Sequence, residues 1–283
     1  MIFCAGLGTR LRPLTDTMPK ALLPLAGKTL LQWQVERLRD AGISDIIVNV
    51  HHFPDMIIET IRRHDGWGCR INVSDERDRL LDTGGGLKKI HNSQFTIQNE
   101  PILACNVDIL SNIDIRDLIS RYEQTGVSQL VVSERQTQRY LCFDERNHLC
   151  GWTNIATGEL KGRDGRRLAF SGMQLLSEEV LERLDEMAEE KFSLIDFYVH
   201  LCAHNSQFRI HNSQFTILSP EGHDYLTGSN FHNSKFTITN HQLPITNHQS
   251  SPLMAYVPAD YRMMDVGKID QLSEAERFAA SLV

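Results

Sequence analysis

The chain has 283 residues, 41% of them hydrophobic, enough to bury a full core in one large domain or two small ones. A formal net charge of −7 excludes a general nucleic-acid footprint, so any basic cluster must be a local feature. No run of about 18 apolar residues occurs, so no membrane-spanning helix is expected.

Six cysteines (4, 69, 105, 142, 150 and 202) show no C-x-x-C spacing. They read as reduced thiols of a cytoplasmic protein rather than as a disulfide or zinc framework. No charged segment followed by an apolar segment precedes the first predicted strand, so no signal peptide is expected.

Met1 to Ala5 is a short apolar run, predicted as a buried parallel strand. It stops at Gly6-Leu7-Gly8-Thr9-Arg10. Two glycines two apart permit a tight turn whose exposed N–H groups can hold phosphate oxygens. Arg10, Arg12 and Lys20 add cations nearby. The alternative is an ordinary strand-to-loop turn with solvated arginines. The stretch is neither G-x-x-x-x-G-K-[ST] nor a dinucleotide fingerprint, which needs a third glycine.

Leu31, Val35 and Leu38 fall on one helical face, closed by Gly42. Ile46 to Val50 is a predicted strand, Asp55 the expected cap of a helix carrying Ile57, Ile58 and Ile61, and Arg70 to Ser74 another strand. This alternation predicts a parallel sheet with helices on both faces, its first strand central and its ligands at the strands' C-terminal edge. His51 and His52 are expected in a loop, without a ligand role.

Asp82-Thr83-Gly84-Gly85-Gly86 opens a predicted helix through Lys89. Glycine costs stability there, which a chain accepts where a ligand must approach backbone; the alternative is a flexible loop. Ile102 to Cys105 is an apolar strand followed by Asn106-Val107-Asp108. Asp108 at that edge can bind Mg²⁺, or it can cap the next turn.

Asp114 is the expected cap of a helix to about Gln124. Strands follow at Gln129 to Ser133 and Leu141 to Asp144, the latter forming a hairpin with His148 to Cys150. Gly151 to Arg167 is polar and turn-rich and is predicted to form a lid, with Asn154 either a sugar contact or a solvated loop asparagine. Ala169 to Met173 is a strand whose Gly172 marks a close backbone approach. Ser177 caps a helix with Val180, Leu181 and Leu184, and Phe192 to Cys202 forms another.

A heptapeptide recurs: His91 to Ile97, His204 to Ile210, His211 to Ile217 and His232 to Ile238. True repeat folds use evenly spaced units of about 20 residues or more. These polar, uneven copies are expected to be peripheral insertions at about 91–99 and 204–250. Met254 to Val257 then resumes strand character, and Asp265 follows in Met263-Met264-Asp265-Val266-Gly267, where it can cap the closing helix, Lys268 to Ala280.

The stretch Ala5 to Leu11 followed by Pro19-Lys20 resembles the signature of sugar-1-phosphate nucleotidyltransferases, with Cys4 where that family usually has alanine. Asp82 to Gly86 is similar to the L-E-T-G-G-G of the short bacterial N-acetylmuramate 1-phosphate uridylyltransferase and mannose 1-phosphate guanylyltransferase types. Phe170-Ser171-Gly172-Met173 resembles the family's F-S-G-I, and residues 263–267 resemble W-x-D-V-G. Val107 and Met263 depart from the family's glycine and aromatic.

The resemblance implies a GT-A-like α/β/α sandwich with a mixed, mostly parallel sheet, as a single domain over residues 1–283. It implies transfer of a nucleotidyl group from an NTP to a sugar 1-phosphate, giving an NDP-sugar for cell-wall or polysaccharide synthesis and pyrophosphate. UTP or GTP, with N-acetylmuramate 1-phosphate or mannose 1-phosphate, are the expected substrates. Nucleic acid and membrane are not expected partners.

The residue roles also follow from the resemblance. Asp108 and Asp265 would hold Mg²⁺, Arg10 the leaving pyrophosphate and Lys20 the α-phosphate. Ala5, Gly6, Gly8, Thr9, Thr83, Gly84 and Gly85 would contact nucleotide, and Ser171 and Gly172 sugar. A non-catalytic nucleotide-sugar-binding relative is the alternative. A Rossmann oxidoreductase is disfavoured by the missing glycine and by the lack of an acid near the second strand's end.

Overall fold

The computed structural model describes residues 1–93, 100–203 and 251–282. The heptapeptide copies between 204 and 249, and the 94–97 part of the first copy, lie outside the described residues. The chain begins with β1 (Ile2–Phe3), a small hairpin of β2 (Pro24–Leu25) and β3 (Lys28–Thr29), and α1 (Leu30–Asp40). β4 (Asp45–Val50), α2 (Pro54–Arg63), β5 (Arg70–Asp75), α3 (Asp82–His91) and β6 (Ile102–Asn106) follow. The strand order β6-β1-β4-β5 is parallel throughout, with β1 between β4 and β6. The expected alternation and the central first strand are therefore what the chain builds.

The second half begins with β7 (Ile109–Ser111), α4 (Ile115–Thr125) and β8 (Ser128–Ser133). A meander of β9 (Arg139–Phe143), β10 (Leu149–Asn154) and β11 (Glu159–Gly162) leads to the long β12 (Arg166–Leu176). β12 runs antiparallel to β6, β8 and β9, which makes the sheet mixed. Then come α5 (Glu178–Glu182), α6 (Leu194–Ala203), β13 (Leu253–Tyr256), β14 (Met263–Asp265) and α7 (Leu272–Ala280). β13 lies parallel to β8, and β14 antiparallel to β7.

Side chains alternate along β1, so the sheet carries two cores. Ile2 and Cys4 join one apolar cluster with α1, α2, α4 and α7, through Val35, Ile57, Leu118 and Ala275. Met1 and Phe3 join the other with α3, α5 and α6, through Leu87, Leu181 and Phe197. Each such Leu or Phe, fully buried, contributes about 1.5–3 kcal/mol. All six cysteines are free, as expected, and among the described residues no helix is long and apolar enough to cross a membrane.

Several local expectations are corrected. Asp55 does not cap α2: Phe53 is the cap, in a left-handed conformation, Pro54 takes the first helical position, and Asp55 in the first turn pairs with Arg77. Proline at that position needs no N–H, which moves the start two residues back. Ser177 stands at the cap of α5, but its hydroxyl accepts from Ser128 instead of from the helix. Residues 151–167 form no lid: most of them pair in β10, β11 and the start of β12. Their polarity reflects an exposed strand at the sheet's end, since every residue of β11 is solvent-facing.

Glu179 on α5 gives a pH dependence. Burial first, then Glu182, raises its carboxyl from 4.5 to about 7, with Arg183 opposing. The neutral form suits the fold better, so this group's contribution is fully present below pH 4.5 and is lost as pH rises through 7. Glu179→Gln is expected to stabilise the protein at pH 8.5 by about 1 kcal/mol, discounted for the half-exposed position, and far less at pH 5. Thermal melts at the two pH values check this; equal differences would reject it.

Candidate active site

The cleft lies where β1 ends. Gly8 adopts φ +62°, and a Cβ there would stand 2.8 Å from Thr15 Cγ2 and 3.2 Å from Lys20 Cβ. Its carbonyl accepts from Leu11 N–H and Thr15 Oγ1, both at 2.9 Å. A Cβ at Gly6 would stand in open space. The two glycines thus serve different needs: Gly8 makes the turn, while Gly6 leaves its backbone bare toward the cleft. Gly8→Ala is expected to lower stability by about 1–3 kcal/mol from strain and collision, and Gly6→Ala by less than about 0.5 kcal/mol. Denaturant midpoints of the two variants check this.

The turn leads to Lys20, which is only 8% exposed and pairs through Nζ with Asp108 Oδ2. Asp108 follows β6, and its backbone is held from α1. Gln34 Nε2 donates to Ile109 O at 2.7 Å and Val107 O at 3.4 Å, and Arg37 donates to Ser111 Oγ at 2.7 Å. Asp108 caps no helix; Asp114 caps α4.

Asp265 comes to the same place by strand pairing. It sits opposite Ile109 in the β14–β7 ladder, and the next amide, Val266 N–H, donates to Asp108 O at 2.9 Å. Arg10 Nη2 lies 3.9 Å from Asp265 Oδ2. Burial, then Asp108, pushes the Asp265 carboxyl above its ordinary range, while Lys20, Arg10 and Arg135 pull it down. Gly267 leaves room for this pair, since a Cβ there would stand 2.8 Å from Asp265 Oδ1 and 3.0 Å from Arg10 Nη2. Two acids and two cations from three distant stretches therefore share one locus.

The cleft measures about 420 Å³, within the usual range for small-molecule sites. Ala5, Gly6, Gly8, Thr9, Arg10, Lys20, Thr83 and Asp108 all line it, together with Phe3, Leu7, Leu80, Asn49, Asp82 and Gly267. Asp82 holds φ +63°, with its Oδ1 accepting the Thr83 N–H at 2.6 Å, a local bond that favours this conformation.

Gly84 and Gly85 do not line the cleft. Both N–H groups donate to Phe192 O, and a Cβ at Gly84 would stand 2.9 Å from that same oxygen. A Cβ at Gly85 would collide with the Glu190 carbonyl. These glycines admit the segment before α6, not a ligand. Ser171 is fully buried and Asn154 turns the β10–β11 hairpin, its Oδ1 accepting the Ala156 N–H at 3.1 Å. Neither lines the cleft. Gly172, at φ +68°, forms a bulge whose Cβ would stand 2.8 Å from Asn106 Nδ2. It packs beneath the strand end that presents Asp108 without reaching the cleft. His51 and His52 meet the backbone carbonyls of Glu76 and Thr15, at 2.7 and 3.2 Å.

Residues 1–140 match the family model for nucleotidyl transferase. Over 110 residues the chain is 41% identical to an N-acetylmuramate alpha-1-phosphate uridylyltransferase of Caulobacter vibrioides, covering 38% of this chain and 44% of that protein. The first 140 residues of this chain belong to the nucleotidyl transferase family. A mannose-1-phosphate guanyltransferase of Kluyveromyces lactis is 32% identical over 136 residues, 48% of this chain and 37% of that one. The matches thus span less than half the length of these curated relatives.

Likeness of fold extends across the nucleotidyltransferase chain as a whole. A putative glucose-1-phosphate thymidylyltransferase from Bacillus anthracis superposes with a TM-score of 0.69 at 13% identity, covering 98% of this chain and 93% of that one. HddC from Yersinia pseudotuberculosis gives 0.64 at 19% identity, covering 98% and 97%.

The nucleotidyltransferase signature carries one cation in the turn and one after it, and the structure brings both to the acids. Sequence reasoning passed over Gln34, Arg37, Asn49 and Glu76. The available signal was the placement of polar residues among apolar ones: Gln34 on α1's inner face and Asn49 within a β-branched strand.

Proposed function

We propose that the chain transfers a nucleotidyl group from a nucleoside triphosphate to a sugar 1-phosphate, releasing pyrophosphate. The observation that carries this reading is the meeting of Asp108 and Asp265 beside a cleft rimmed by the Gly6–Arg10 turn and Lys20. A sugar phosphate, with its second pKa at about 6, is largely dianionic at neutral pH and attacks without a protein base. What remains for the protein is positioning and charge.

Arg10 follows the turn's amides and is suited to the leaving pyrophosphate, as a planar fork for phosphate oxygens. Lys20, fixed by Asp108, offers a buried point charge to the α-phosphate. Asp108 and Asp265 are hard oxygen donors of the kind Mg²⁺ prefers. Burial and Asp108 disfavour charge on Asp265, and a divalent cation on the two carboxylates would offset that. Bound there, Mg²⁺ would supply charge neutralisation on the phosphate oxygens.

The names of the curated relatives put UTP with N-acetylmuramate 1-phosphate, and GTP with mannose 1-phosphate, first in the substrate panel. A cell-wall or polysaccharide precursor is the corresponding product class. The reading assigns the reaction to the cytoplasm, which supplies nucleoside triphosphates. The full chain is incubated with each of the four triphosphates, each sugar phosphate and Mg²⁺, and pyrophosphate is assayed. Release that requires both substrates supports the reading. Nucleotide binding without pyrophosphate from any pair would leave a binding protein and overturn catalysis.

A further inference from the structure

Two buried polar side chains take part in none of these steps. Asn49 in β4 and Glu76 just after β5 are each 2% exposed. Polar groups at such depth persist where their donors and acceptors are matched. The β1–β4 ladder ends at the Phe3–Asn49 pair, and Cys4, one residue further, donates its N–H to Asn49 Oδ1 at 2.8 Å. Asn49 Nδ2 donates to Glu76 Oε1 at 2.9 Å, and Glu76 Oε2 accepts the Leu81 N–H at 3.3 Å.

The ends of this relay dictate the residue types. Asn49 must accept on one side and donate on the other, which an amide does and a carboxylate does not. Glu76 must accept twice, which a carboxylate does. Gly86 belongs to the same device: a Cβ there would stand 2.9 Å from Glu76 Oε1 and 3.1 Å from Asn49 Nδ2.

The relay joins two walls of the cleft. Cys4 leads into Ala5–Gly8, and Leu81 is flanked by Leu80, Asp82 and Thr83, all of which line it. We propose that Asn49 and Glu76 are positioning residues that hold these two walls at one spacing and thereby set nucleotide affinity without touching the reacting atoms. This rests on the nucleotidyl-transfer reading. The charged and titratable groups facing Glu76 are His51, after β4, and Lys89, on α3.

Asn49→Asp replaces the donor with a carboxylate facing Glu76. At pH 8.5 the KM for the triphosphate should rise about tenfold, with kcat and the KM for sugar phosphate changed less than about threefold. At pH 6 a proton shared by the two carboxyls restores the link, and the KM gap should shrink to about threefold or less. Glu76→Gln should raise the same KM without rescue by acid. Amide exchange without ligand should show protection falling together at Cys4–Gly8 and Leu81–Thr83 in both variants, with β12 unaffected.

A wild-type KM in Asn49→Asp at pH 8.5, or a loss of protection spread over the whole sheet, overturns the proposal. If the wild-type chain forms no pyrophosphate from any pair, the nucleotidyl-transfer reading fails separately. The exchange experiment then decides the relay alone, and unchanged protection in the two segments sinks it.

Discussion

Asp108→Asn is expected to lower turnover on the order of 10³-fold at saturating substrates while triphosphate affinity changes by less than about threefold. The substitution keeps the side chain's volume and removes one of the two charges of the Asp108–Asp265 pair. It also takes the anion from Lys20, which is nearly buried, so a loss of about 1–2 kcal/mol in stability should accompany it. Asp265→Asn separates the two effects. It removes charge from the same locus and leaves the Lys20–Asp108 pair in place. A matching loss of turnover in Asp265→Asn, with stability near wild type, assigns the catalytic loss to the shared site. Unchanged turnover in Asp108→Asn would remove that residue from the chemistry.

Gly85→Ala is expected to cost about 2–3 kcal/mol of stability, because the added methyl meets the Glu190 backbone carbonyl, which no rotamer change can move. For a chain of this size the thermal midpoint should drop by roughly 4–12 °C. The preference among triphosphates should not change, since Gly85 does not line the cleft. A stable variant with altered base preference would return Gly85 to the nucleotide site. Thermal melts and the substrate panel, run on one preparation, separate the outcomes.

The contrast between Gly85 and Gly6 shows what was legible in the chain. Both glycines announce that backbone comes close to something. At Gly6 the space is open, as a ligand requires; at Gly84 and Gly85 residues 190–192 fill it. That neighbour lies about a hundred residues away, and no local pattern names it. The central strand, the parallel alternation and the cap at Asp114 were readable because each depends on periodicity or on bonds within a few residues. Asp108 was readable as the acid past a buried strand. The arrival of Asp265 beside it was implied only by family resemblance, because the β14–β7 ladder that brings it there is long-range.

Polar side chains were the least legible part. Ser171 was a candidate sugar contact through its resemblance to the F-S-G-I segment, and Asn154 through its place in a polar, turn-rich stretch. One is sealed inside the sheet, and the other serves its own turn. Asn49 and Glu76 went the other way, polar yet interior, and their meaning depends on what each faces across neighbouring strands.

The short ladder between β14 and β7 makes the second acid an all-or-none property of alignment. Sliding β14 by a single position would turn Asp265 to the opposite side of the ribbon and offer Val266, now buried in the core, in its place. What guards against that slip is anchorage upstream, where β13 docks on β8 over four consecutive residue pairs. The four β13–β8 pairs thus fix where the chain enters β14, and through it the alignment of Asp265.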